Sequence, residues 1–198
     1  MQGPSHSLNL RLRVSAAFAG AFLLAAVAIF ALASALGHLL GLAGLPLAWR
    51  HALAAAALVA LAAVDVASLR RASYCPLGWR RQTPRGLRYR HPPVRVAALW
   101  GLDTGLAFTT FRVAALTWGA FVLSLLGFAG WWLGLAYGLG FVIPTTWLLW
   151  SRRVGRAAAQ GGVDPGLESL LRRRPLIQFV SSLLLAAVGA ALIVEWLA

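Results

Sequence analysis

The chain predicts an all-α integral membrane protein, a polytopic bundle of about five transmembrane helices with its N-terminus in the cytoplasm. Three observations carry that fold class. Of the 198 residues, 60% are hydrophobic and only 12% are charged, against roughly 45–50% and about 25% in an average soluble domain. Apolar runs of the ~20 residues needed to cross a bilayer recur along the whole length, which leaves one membrane domain and no separate soluble one. The charges are gathered into two basic regions, 70–95 and 151–174, which read as cytoplasmic loops under the positive-inside rule. A membrane β-barrel is disfavoured, because its strands are ~10-residue segments of alternating character and these runs are longer and continuously apolar.

The formal net charge of +13 comes from 18 arginines with no lysine, set against Asp65, Asp103, Asp164, Glu168 and Glu195. Arginine to the exclusion of lysine is a high-GC compositional bias and points to a bacterial source rather than to a function. In a multi-pass protein such a balance indicates loops facing anionic lipid headgroups, so the expected partner is the bilayer of the cell (plasma or inner) membrane. The first basic region also interleaves Tyr74, Trp79 and Tyr89 with arginine, a mixture that can stack bases. Beside a membrane, lipid headgroups are the expected partner and nucleic acid is not. One cysteine, Cys75, excludes an internal disulfide and a Cys-x-x-Cys pair, and it is expected to be reduced.

In chain order, Arg11 and Arg13 precede the first span, 14–45. It is too long for the 7–15-residue core of a signal peptide and reads as an uncleaved first crossing. The second span is 51–69 and carries Asp65. Eight arginines in 26 residues then make the loop 70–95, broken by prolines and glycines. Both basic regions face the cytoplasm if the segment between them crosses an even number of times. Two crossings are expected, at 96–126 and 131–150, with a turn at 127–130. Within 151–174, Asp164 and Pro165 fit an N-cap and first helical position, Glu168 the first turn, and Arg172 to Arg174 the C-terminal end of a short surface helix. The last span is 176–197. A sixth span is the alternative. Its support is a match at seven of twelve positions between the segments starting at Arg13 and Arg112, as expected of the internal repeats found in transporters.

Chemistry is expected where charge enters a span. Asp103 and Arg112 both fall in 96–126. A charge at a helix centre costs about 2.5–3.5 kcal/mol on insertion scales, so such residues face protein or water and are candidate functional groups. Nine residues separate them, two and a half turns, so on an unbroken helix they point to opposite sides. Gly101 and Gly105 flank Asp103 and admit two readings. They can break the helix, with Thr104, Thr109 and Thr110 satisfying freed backbone groups, or they can form a Gly-x-x-x-Gly packing surface. Asp65 is the third candidate for a polar path, with pairing to Arg70 or Arg95 as the structural alternative. Arg112 has Glu195 as a structural partner in prospect. In the fourth span Gly130, Gly134 and Gly138 share one face and predict a tightly packed seam, and Pro144 predicts a kink. The histidines His6, His38, His51 and His91 have no metal-ligand spacing. No metal and no cofactor are expected.

The glycine-rich spans with Gly101-Leu102-Asp103-Thr104-Gly105 inside one of them resemble small bacterial membrane proteins of the thiol-disulfide electron-transfer and metal or amino-acid exporter type. The resemblance implies a multi-pass fold. Its redox members use two membrane cysteines, and this chain has Cys75 alone, in a loop, so no functional residue is carried over.

Without a phosphate-binding glycine loop, a His-Glu-x-x-His or a Gly-x-Ser-x-Gly motif, an enzyme is not expected. The sequence leaves two functions: a small permease-like protein with Asp103, Arg112, Asp65, Thr104 and Thr109 along a polar path, or a non-catalytic membrane subunit or assembly factor, as a homo- or hetero-oligomer.

Overall fold

The computed structural model describes residues 4–77, 90–106, 113–150 and 173–197. Among the described residues the six elements are all α-helices: α1 Pro4–Leu39, α2 Leu47–Arg70, α3 Pro93–Gly105, α4 Leu116–Leu125, α5 Trp132–Trp150 and α6 Arg174–Leu197. Three stretches among the described residues are long and apolar enough to cross a membrane, Leu8–Leu39 in α1, Leu47–Arg70 and Arg174–Leu197. Leucine side chains stand exposed along all three, joined by valine in the second and by valine and isoleucine in the third, the surface expected of helices solvated by lipid rather than water.

The helix ends follow from backbone chemistry. The α1 helix stops at Leu39, short of the 45 expected, because Gly41 takes φ +71° and the N–H groups of Gly41 and Ala43 turn back onto His38 O and Gly37 O. Pro46, with φ −49°, then leads into α2. At the far end of α2, Ser73 N–H donates to Ser68 O and Ala72 N–H to Leu69 O, with Ala72 at φ +49°. That is a Schellman closure whose left-handed position, usually glycine, is filled by alanine. The same closure ends α4: Phe128 N–H reaches Leu123 O, Gly127 N–H reaches Ser124 O, and Gly127 supplies φ +75°.

Packing divides the bundle into two lobes. One consists of α1, α3 and α5 around Phe18, Phe22, Ala26, Ala97 and Val142. The other consists of α2, α4 and α6 around Ala54, Ala55, Leu58, Ala115, Leu185 and Leu192, with Cys75 from the loop after α2. In the first lobe Gly101 lies on Phe18 and Gly105 on Phe22, so α3 runs parallel to α1. Gly134 meets Ala26 and Gly138 meets Leu23, so α5 runs antiparallel to it. In the second lobe Asp65 faces Ser181 and His51 faces Glu195, which makes α2 and α6 antiparallel along their length.

The lobes are joined by α1. Beyond its contacts with α3, the same helix meets α4 through the Phe30 and Phe121 rings, 6.2 Å apart, and through Gly37 against the backbone of Leu125. Thus α3 and α4 follow one another along a single continuous helix. Of the two readings of 96–126, the helical break is the one seen among the described residues: α3 closes at Gly105, with Leu106 N–H on Leu102 O, and α4 starts only at Leu116. At 1.5 Å per residue, 13 and 10 residues give about 20 and 15 Å, each short of the ~30 Å hydrocarbon core. The repeat-like segments also part company here. Residues 13–24 lie inside continuous α1, whereas Val113 to Ala115 form a bend before α4.

Candidate functional site

A buried carboxylate on α2 caps the start of α4. Asp65 has no exposed surface. It accepts Ala115 N–H on both oxygens, at 2.8 and 3.0 Å, and the Ser181 hydroxyl on Oδ2 at 2.5 Å. Ala115 is the N-cap of α4 and its side chain can cap nothing. Asp65 therefore does from across the fold what the N3 side chain of a capping box does locally: it accepts the free N–H of the N-cap residue at the positive end of a helix dipole. Ala115 O in turn accepts Trp118 and Gly119 N–H to start the helix.

A second polar side chain secures the same junction. Gln178, fully buried one turn before Ser181 on α6, donates through Nε2 to Ser73 O at 2.9 Å and Val113 O at 3.1 Å. It links the end of α2 to the bend before α4. Its Oε1 is buried with no partner among the described residues. Cys75 is buried in the adjoining core, and burial, with Asp65 nearby, pushes its thiol above the usual range although a backbone hydrogen bond at Leu77 opposes this. The loop is further seated by Arg174, whose guanidinium lies 5.1 Å from the Tyr74 ring.

The pairing of Asp65 with Arg70 or Arg95 is replaced by this arrangement. Arg70 is five residues on, about 140° round the helix at 3.6 residues per turn, so it leaves the face that Asp65 presents to α6. Asp103 is half-buried on α3, in the other lobe, and the two carboxylates have different surroundings. Thr104 hydrogen-bonds Trp100 O at 2.6 Å and Gly101 O at 3.3 Å, which ties its hydroxyl to its own helix. Arg112 and Thr109 lie outside the described residues, as do Thr110, Trp79, Tyr89 and the Asp164–Arg172 segment.

Gly101 and Gly105 are contact points: a Cβ on them would fall 2.4 Å from Phe18 O and 2.6 Å from Phe22 O. The packing surface and the helix end thus occur at one place. Gly134 is similar, 2.5 Å from Ala26 O, and Gly138 faces the Leu23 side chain. Gly130 is not in that seam, because it precedes α5 and its carbonyl accepts Leu133 N–H in the turn. Within α5, Pro144 is followed by Thr145 and Thr146, whose hydroxyls return to Phe141 O and Val142 O.

At the opposite end of α2 a second cluster closes the bundle. Arg50 Nε donates to Leu126 O at 2.7 Å, and its guanidinium lies 4.8 Å from the Phe128 ring centre. His51 stacks on the same ring at 5.2 Å and places Nε2 3.4 Å from Glu195 Oε2. Among the described residues the Glu195 partner is thus His51.

Residues that sequence reasoning passed over are Ser181, Gln178 and the Ala115 amide. A signal for the first two was present: Gln178, Ser181, Ser182 and Leu185 recur at i, i+3, i+4 and i+7, one face of an otherwise apolar span. The third had none, being a backbone group. Among the described residues no cluster of three or more His, Cys, Asp or Glu side chains can hold a metal ion. Comparisons with family models, with curated proteins and with solved structures each return no match.

Proposed function

We propose that the protein is a small, non-enzymatic permease-like protein of the cell membrane that crosses five times with its N-terminus inside, α3 and α4 together forming the third crossing. The ion it handles is a proton, taken up and released at Asp65. One observation carries this reading: a carboxylate wholly removed from solvent caps the second half of a broken helix. Discontinuous helices are a recurring way to build ion and substrate sites within membranes, because their ends expose N–H and C=O groups that side chains and ligands complete. Protonation of Asp65 would remove the charge that favours Ala115 N–H and the α4 dipole, coupling proton occupancy to the position of α4.

A second reading, a structural subunit of a larger membrane complex, is favoured by the saturation of both Asp65 oxygens by protein donors. Asp65→Asn separates the two. Asparagine keeps an acceptor for Ala115 N–H but cannot take up a proton. In proteoliposomes with a trapped pH dye and an imposed potential, wild type should conduct protons above protein-free vesicles, and Asp65→Asn should lose at least tenfold while still accumulating. Wild-type vesicles no leakier than empty ones would remove the transport reading. A stoichiometric protein partner in mild detergent, lost on Asp65→Ala, would favour the subunit reading.

A further inference from the structure

The outer face of the α2–α6 pair carries a groove of about 740 Å³. Its floor is small and buried, Ala62 and Ser182, and its apolar walls include Val59, Val66 and Phe179. At one end it is lined by Arg70 and Arg71. Neither arginine is in a salt bridge with a carboxylate among the described residues. From Val59 to Arg70 is 11 residues, about 17 Å at 1.5 Å per residue. One leaflet of the hydrocarbon core is about 15 Å deep. The groove is therefore one leaflet long, apolar over that length and doubly cationic where a headgroup would lie.

We propose that this groove is a binding site for a single anionic phospholipid of the leaflet at the Arg70 end of α2. The phosphate engages Arg70 and Arg71, and an acyl chain lies along the small-residue floor. Basic pockets between transmembrane helices are suited to such headgroups, and arginine matches phosphate through paired N–H donors. Alanine on the floor lets a chain approach the helix axes. The second helix in the groove, α6, is the one that supplies Ser181 and Gln178 to the break, so the lipid would brace the pair that holds Asp65. The site requires only that the protein spans a membrane and is independent of proton transport.

The test uses the full chain purified in mild detergent. Native mass spectrometry with added phosphatidylglycerol or phosphatidylcholine, together with thermal melting, should show one retained phosphatidylglycerol, a raised melting temperature, and little response to phosphatidylcholine. Replacing both arginines (Arg70→Gln, Arg71→Gln) should weaken phosphatidylglycerol binding about thirtyfold, at ~1 kcal/mol for each basic side chain. Filling the groove from its exposed rim with Ala63→Phe should have a comparable effect with the charges intact, whereas Arg95→Gln should have little. Equal retention of the two lipids, or unchanged binding in either groove variant, would overturn the proposal. So would a protein dimer abolished by Ala63→Phe, which would make the groove a contact between copies.

Discussion

The two lobes solve the same packing problem with different chemistry. In α1, α3 and α5 the helices approach through glycine and fill the space with rings: Phe22 stacks on Phe141 at 4.6 Å, Phe18 lies 5.4 Å from Trp100, and Tyr137 sits between Phe22 and Phe30. In α2, α4 and α6 the core side chains are mainly alanine and leucine, and hydrogen bonds from Asp65, Ser181 and Gln178 fix the register. Lipid tails are as apolar as leucine, so burial alone gives membrane helices little reason to associate. Close backbone contact and polar pairing are the two remaining means, and this chain uses one in each lobe. The glycine seam tolerates no added volume, whereas the polar lobe tolerates no lost partner.

That contrast can be broken first at Asp65. Asp65→Ala leaves Ala115 N–H and the Ser181 hydroxyl without acceptors, at about 1–3 kcal/mol each. We expect a loss of about 3–4 kcal/mol, read as reduced accumulation and a lower melting temperature in detergent, with Asp65→Asn much milder. In the other lobe, Gly101→Val should cost about 2–3 kcal/mol by overpacking against Phe18 O. Gly20→Ala, where an added Cβ meets nothing within 4 Å, should be neutral or slightly stabilising. If the two glycines behaved alike, the seam would not depend on backbone contact.

A finer probe is Cys75. Its thiol is buried and pushed above its usual range, so at pH 8 less of it is thiolate than in an exposed cysteine. Maleimide labelling of the folded protein should be on the order of a hundredfold slower than in the SDS-unfolded chain and should accelerate as pH rises. Rapid labelling at neutral pH would show that the polar lobe opens. A small gain is expected at Ala72. Its left-handed backbone matches that of Gly127 at the end of α4, and Ala72→Gly should raise stability by about 0.5–1 kcal/mol through relief of Cβ strain.

Length and hydropathy sufficed to find α1, α2 and α6 from sequence, since a membrane helix needs only enough consecutive apolar residues. The interruption of the third span was not legible in the same way. Nothing between Leu106 and Ala115 names Asp65, which lies 50 residues away from the amide it holds. Gly101 and Gly105 marked the place, but glycine alone does not distinguish a seam from an end. Asp65 itself was legible as an acid inside the second span and a candidate for a polar path. Its partners were not, because a basic loop suggested ion pairing while the helical phase of Arg70 turns that side chain elsewhere. Serine and glutamine in α6 carried a readable period, hidden by the apolar residues around them.

The spacing of Asp65, Ala115 and Ser181 also has a history in time. Synthesis delivers Ala115 50 residues after Asp65, and Ser181 116 residues after it. At ~5–20 residues per second, the carboxylate waits about 3–10 s for its amide and about 6–23 s for its hydroxyl. During that interval α2 carries an acid whose donors have not yet been made, and the hydrogen bonds that fix its register against α6 close only after α6 emerges.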